Sequence, residues 1–229
     1  MTQKENADWL LPTVLSTTAG AVDVIGFLTL GGLFTAHITG NLVVLVVHYV
    51  TGSFCQIGPL LSVPVFVVVL GIVIVLFENK AVRRARRTLL ILHASLLAGF
   101  LALGAVLGPF ADPDSAMAVS VGMIGVAAMA TQNALVRLDL PGFPSTAVMT
   151  TNITQLAIDL ALLFRGTGDL TDLARARRSA SLTFPSVMGF VAGCAAGGFL
   201  EFHFGLSALA LPVGLAAIAI PLGEVQHEA

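Results

Sequence analysis

An all-α fold, a polytopic membrane helix bundle with about six full spans and two broken or re-entrant half-helices, is predicted by three observations on the sequence. The 229 residues are 56% hydrophobic and only 10% charged, with a mean hydropathy of +0.94. A soluble domain carries roughly 25% charged residues, so the bilayer has to be the solvent here. Eight apolar stretches can be read along the chain, at 10–31, 34–50, 58–77, 88–108, 116–136, 146–164, 182–203 and 206–222. Finally, the polar interruptions in these stretches fall at matching places in two halves of the chain, about 1–108 and 109–229, which together make a single integral membrane domain.

The segment before the first stretch, "MTQKENAD", sets one lysine against Glu5 and Asp8. A cleaved secretory signal needs a positive start, so none is expected. Trp9 marks the interface where stretch 10–31 begins. That stretch holds Asp23 deep inside "AGAVDVIGFL". A carboxylate inside a membrane is expensive and is a functional residue by default, which suits a proton-coupling role. The structural alternative is that Asp23 pairs with Gln132, Asn133 or a helix N-terminus.

Stretch 34–50 opens with "TAHITGN", Thr35 to Asn41, after Gly31 and Gly32. Stretch 146–164 opens with "TAVMTTN", Thr146 to Asn152, after Pro141, Gly142 and Pro144. Four of the seven positions are identical at an offset of 111, which also pairs Gly31 with Gly142 and Leu45 with Leu156. Proline blocks helix continuation and glycine permits the turn, so each motif is read as opening a half-helix, capped by Thr35 and by Ser145 or Thr146.

Charge fixes the crossings. The basic segments "ENKAVRRARR" and "RGTGDLTDLARARRSA" would be separated by three crossings if all eight stretches spanned, placing them on opposite sides. If 34–50 and 146–164 return to the side from which they enter, six crossings remain and all 11 basic residues fall on one side, with Asp112 and Asp114 on the other. Parity leaves open which member of each pair is incomplete. Three crossings per half make the second half an inverted repeat of the first, an arrangement recurrent among secondary transporters. The positive-inside bias makes the N- and C-termini cytoplasmic.

In 182–203, Gly189, Gly193 and Gly197 form a small-residue packing face, either internal or a contact in a homo-oligomer. Cys55 and Cys194 have no metal-like spacing and are read as structural. Glu78 and Glu201 lie near segment ends and are read as solvated, while His93, His203 and His227 show no partner pattern.

"GAVDVIGFLTLGGLFTAHITGNLVVL", "ATQNALVR" and "TAVMTTNITQL" resemble the YoaK-like family of bacterial membrane proteins, which carry the domain of unknown function numbered 1275. The boxes Thr39–Asn41 and Gln132–Ala134 are the most specific parts, and the chain departs at Thr151, where many relatives would show glycine. The resemblance implies a multi-spanning protein of the bacterial cytoplasmic membrane and no established substrate.

Two half-helix N-termini meeting near the midplane would present unpaired N–H groups and about half a positive charge each. Such a place suits an anionic or polar solute. Thr35, His37, Thr39, Asn41, Gln132, Asn133, Thr146, Thr150 and Asn152 are the expected binding residues, with Asp23 as the coupling group. The alternative is that these groups only satisfy broken backbone inside a packed bundle. Asn152, Gln155 and Asp159 share one helix face, and His48 matches Asp159 across the repeat. Either could titrate or line a wet vestibule, or Asp159 could approach the interface near Arg165.

No nucleotide loop, zinc spacing or nucleophile elbow is present, and no cofactor or metal is expected. A net charge of −2 leaves no basic patch for nucleic acid. The leading expectation is a secondary transporter or channel-like carrier; a non-transporting membrane scaffold or partner protein is the alternative. An enzyme is not expected, since only Asp23, His37 and Asp159 could supply its chemistry. Membrane lipids and a small solute are the expected partners.

Overall fold

The computed structural model of the chain describes residues 9–52, 57–78, 82–140, 143–147, 149–166 and 169–228. They form α1 (Leu10–Thr29), α2 (Ile38–Val50), α3 (Ile57–Phe77), α4 (Val82–Leu107), α5 (Ala116–Asp139), α6 (Met149–Arg165), α7 (Leu170–Phe204) and α8 (Ala210–Glu228). A 3-10 turn, Gly205–Leu209, joins the last two. Five stretches are long and apolar enough to cross a membrane, the last covering α7 and α8 together. The protein is therefore a multi-pass helical bundle, with six long helices and two shorter ones among the described residues. α2 has 13 residues and spans about 20 Å, too little for a hydrocarbon core of about 30 Å.

Two of the expected loops are helical. α4 begins at Val82, inside the first basic segment, and α7 begins at Leu170, inside the second. Hydropathy registers only the part of a helix that lies in lipid. α7, with 35 residues, is about 52 Å long and carries its charged first turns beyond the bilayer. Cys55, Lys80, Pro141 and Gly142 lie outside the described residues.

The helices pack in the order α2, α3, α5, α4, α8, α1, α7, α6, each chiefly on its neighbours in that series. α1 and α5 are the most buried of the long helices, each with 67% of its apolar window inside the protein. Directions follow from side-chain neighbours. Gly189 meets Thr13 and Thr17, and Gly197 meets Ala21, so α1 and α7 run parallel. Gln132 reaches Leu15, while Thr35 touches both Gly26 and Gly125, so α1 and α5 run antiparallel.

At one end the Ile57 amide donates to Asp114 Oδ1 (2.8 Å), joining the start of α3 to the α4–α5 connection. At the other, Arg86 of α4 bonds Asp139 of α5 through Nε and the Gly223 carbonyl of α8 through Nη1 (3.0 Å). Arg137, Arg165, Arg175, Arg177 and Arg178 gather at this second, basic end.

The glycine face is internal. A Cβ on Gly197 would lie 2.8 Å from the Ala21 Cα, and one on Gly189 would lie 2.9 Å from the Thr13 carbonyl oxygen. The face is thus taken up by the contact between α1 and α7 and is not free for a second copy. Along α1, Thr13, Thr17 and Thr18 return their hydroxyl protons to carbonyls four residues back, so these hydroxyls need no outside partner.

Candidate functional site

α1 ends where Gly31 and Gly32 take φ values of 63° and 84°, a left-handed turn that glycine adopts without strain. The chain then folds back along α1 to the level of Asp23, about 9 Å in from the end of α1 (six residues at about 1.5 Å each). There the Asp23 carboxylate gathers the break. Oδ1 accepts the Thr35 amide (2.8 Å), the Ala36 amide (2.6 Å) and the Thr35 hydroxyl (3.1 Å). Oδ2 accepts the His37 amide (3.2 Å) and lies 2.5 Å from His37 Nδ1.

This corrects the expected cap. His37 holds the N-cap position of α2 without a side-chain cap bond, and Thr35 does not supply one. The Asp23 carboxylate of α1 instead holds the three amides just before α2, near the positive end of that helix. Of the three structural partners expected for Asp23, Gln132 and Asn133 bond elsewhere, and the segment leading into α2 is the one found. Its side chain is 3% exposed, while that of His37 is 33% exposed and packs against the Phe190 ring.

Asn41 clamps the same break. Its Oδ1 accepts the Phe34 amide (2.8 Å), and its Nδ2 donates to the Phe34 carbonyl (2.7 Å) and to Ser62 Oγ of α3 (2.7 Å). Ser62 in turn donates to the Pro59 carbonyl (2.7 Å). Ser62 was not singled out in the sequence. Its signal is "LSVP" at 61–64, which matches "LTFP" at 182–185.

The second break is built differently. Gln132 Nε2 donates to Thr146 Oγ1 (2.9 Å) and to the Leu15 carbonyl (3.1 Å). Gln132 Oε1 is buried without a partner among the described residues. Asn152 Nδ2 donates to the Ser145 carbonyl (2.5 Å), the counterpart of the bond from Asn41 to Phe34. Asn133 donates back to the Met129 carbonyl (2.9 Å) and lines a cavity of about 780 Å³ between α3 and α5 with Arg137 and Ser145.

The structure therefore sorts the expected binding residues into two clusters. Thr35, His37 and Asn41 gather around Asp23. Thr146 gathers with Gln132 at the level of Leu15, and Asn152 holds the same break through Ser145. Asp23 and Leu15 are eight residues apart on α1, so the clusters lie about 12 Å apart and do not form one pocket. Thr39 and Thr150 join neither, being exposed on α2 and α6.

Other residues settle as follows. Asp159 is buried, accepts from Gln155 (2.8 Å) and shares its cleft with Asp172 and Arg175. His48 lines a separate apolar cavity with Phe27 and Gly32. His93, which shows no partner pattern in the sequence, is fully buried and hydrogen-bonds the Ala128 carbonyl (3.0 Å) between α4 and α5. Among the described residues no group of histidine, cysteine and carboxylate side chains is placed to hold a metal.

The family profile described as "Protein of unknown function (DUF1275)" matches residues 11–222. A local stretch of 35 residues is 60% identical to the UPF0700 transmembrane protein YoaK of Bacillus subtilis (strain 168). The match spans 15% of this chain and 16% of that protein's length. No solved structure matches the chain.

Proposed function

For this chain, which belongs to the DUF1275 family, we propose the role of a secondary transporter or channel-like carrier for a small polar or anionic solute. The observation that carries the proposal is the Asp23 carboxylate, buried inside a spanning helix and bound to a chain break and to His37. Intramembrane carboxylates mark ion and proton paths, because their cost is otherwise unreturned. Asp23 joins a proton-accepting group to the geometry of the break, and His37 gives that group a partly exposed partner. Under this reading the chain is a carrier and not an enzyme.

The packing order supports an inverted repeat. Exchanging α1 with α5, α2 with α6, α3 with α7 and α4 with α8 reverses the series and leaves every neighbour pair intact. The antiparallel run of α1 and α5 is what inversion requires. In such folds the solute lies between the repeats near the midplane, here along α1 and α5 between the two clusters. The protein sits in the bacterial cytoplasmic membrane, and the basic end, with both termini, faces the cytoplasm.

One observation favours the second reading, a non-transporting membrane scaffold. Asn41, Asn152 and Thr35 are already bonded to backbone or neighbouring side chains, as groups that only mend broken helices would be. The discriminating experiment reconstitutes the purified chain in vesicles enclosing a pH-sensitive dye. Solute-driven proton flux that is present in the wild type and lost in Asp23→Asn and His37→Ala supports the carrier. Flux unchanged by both substitutions, in protein of normal abundance, removes Asp23 from the mechanism, while no flux even in the wild type favours the scaffold.

A further inference from the structure

The two halves treat one matched contact in opposite ways. In the first, Asn41 of α2 donates to Ser62 of α3. In the second, the matched residues are Asn152 of α6 and Thr183 of α7, and no bond joins them. Both line an open cleft of about 550 Å³ between α6 and α7. Ser145, Thr151, Gln155, Arg175, Arg178 and Ser179 complete its polar wall.

Charge differs in the same sense. In the first half Asp23 stands 12 residues before Thr35 and fills the positive start of α2. Twelve residues before Thr146 stands Ala134, neutral and buried. The second break thus lacks the carboxylate of the first. In its place are arginines. Arg175 and Arg178 face the cleft, and the 780 Å³ cavity carrying Arg137 meets it at Phe143 and Ser145. Arg175 Nη1 donates to Asp172 Oδ1 (3.3 Å), so part of its charge is shared, while Asp159 lines the neighbouring cleft.

We infer that the α6–α7 cleft binds a small anionic group, a phosphate or a carboxylate. Its oxygens would be held by Arg178 and Arg175, and its remaining polar atoms by Asn152, Thr183 and Gln155. Arginine suits this role, because its planar fork donates to two oxygens of one anion at once. The group arrives either on a soluble solute or as the headgroup of an anionic lipid, since the cleft lies at the basic end. The inference deepens the carrier reading by naming the solute as anionic, and it rests on that reading only for passage onward from the cleft.

The test is thermal unfolding of the purified full chain in neutral detergent at constant ionic strength. One arm titrates inorganic phosphate. The other compares micelles doped with phosphatidylglycerol against micelles doped with phosphatidylcholine. A saturable rise of a few degrees is expected in at least one arm. It should be lost in the Arg175→Gln, Arg178→Gln double variant and reduced in Ser179→Leu, which fills the cleft without changing charge. Arg177→Gln, which removes one exposed positive charge from the same helix without lining the cleft, should keep it.

A rise with phosphate assigns the site to a soluble anion, and a rise with phosphatidylglycerol alone assigns it to a headgroup. The inference is overturned if neither arm shifts the wild type, if the double variant keeps the shift, or if Arg177→Gln loses as much. Because binding is read without transport, this failure differs from failure of the carrier reading. Flux in vesicles together with an unresponsive cleft would leave a carrier of a neutral solute.

Discussion

His37 Nδ1 and Asp23 Oδ2 lie 2.5 Å apart, bringing together a loop and a helix separated by 14 residues of chain. The same carboxylate holds the amides of Thr35, Ala36 and His37. Losing this carboxylate by substitution would therefore disturb the imidazole pair and the turn before α2 together. One side chain thus ties His37 and the backbone before α2 to the middle of α1.

Asp23→Ala should be severely destabilising. It strands three backbone donors and an imidazole, and removing one partner of a buried charged network costs about 3–5 kcal/mol. Asp23→Asn keeps one acceptor oxygen and should cost roughly half of that. Unfolding midpoints in detergent give the order, and an Asp23→Ala variant as stable as wild type would falsify the capping role.

Asn41→Ala should cost more than Asn152→Ala, although the two occupy matched positions. Asn41 loses three bonds, including the Ser62 bond that ties α2 to α3. Asn152 loses a single short bond to the Ser145 carbonyl and a 3.9 Å contact with Met149 Sδ. At about 1 kcal/mol per bond, a difference of roughly 2 kcal/mol is expected. Equal losses would mean that Asn152 is held as firmly as Asn41.

Gly197→Ala should destabilise by about 1–3 kcal/mol, as overpacking does, because the Ala21 Cα stands 2.8 Å from the new methyl group. Gly71→Ala is the control. Nothing lies within 4 Å of that methyl, so alanine should be neutral or stabilising by up to about 1 kcal/mol. If both substitutions behave alike, backbone propensity and not the α1–α7 contact controls Gly197.

Much of the architecture was legible in the sequence because lipid imposes a coarse rule. Stretches of about 20 apolar residues must be helices, and the observed helices fall on the expected stretches. The breaks were legible because Gly31, Gly32 and Pro144 interrupt them. The partners of the break were not. That Asp23 holds the amides before α2 depends on how far the chain folds back along α1, which no spacing rule encodes. Nor could periodicity show that the breaks sit about 12 Å apart, because that distance is set by the packing of α5 against α1. The charged starts of α4 and α7 look like loops because helices outside the bilayer carry no hydropathy signal.

Single-cysteine labelling checks orientation, in a background lacking Cys55 and Cys194. Asp114→Cys should react with an impermeant thiol reagent in intact cells, and Ser179→Cys should react only after the membrane is opened. Labelling of both in intact cells would put the basic end and the α4–α5 connection on one side, and six crossings would no longer hold.

Arg86 and Asp139 give the last expectation, and its sign pattern is the informative part. Their side chains are 12% and 1% exposed, and Arg86 also donates to the Gly223 carbonyl, so one guanidinium ties α4, α5 and α8 together at the basic end. Taking two ions out of water costs several kcal/mol each, and their attraction returns this only while both are present. Asp139→Leu should therefore cost about 3–5 kcal/mol, because it leaves the Arg86 charge buried and unpaired. Arg86→Met should cost a similar amount through Asp139. The double variant Arg86→Met, Asp139→Leu should recover most of the loss, since two apolar side chains of like volume fill the site without stranding a charge. Thermal unfolding of the four proteins, wild type included, gives the coupling energy directly. Additive losses would mean that the two residues act independently, and the tie at the basic end would then rest on the Gly223 bond and on the packing of Leu90 beside it.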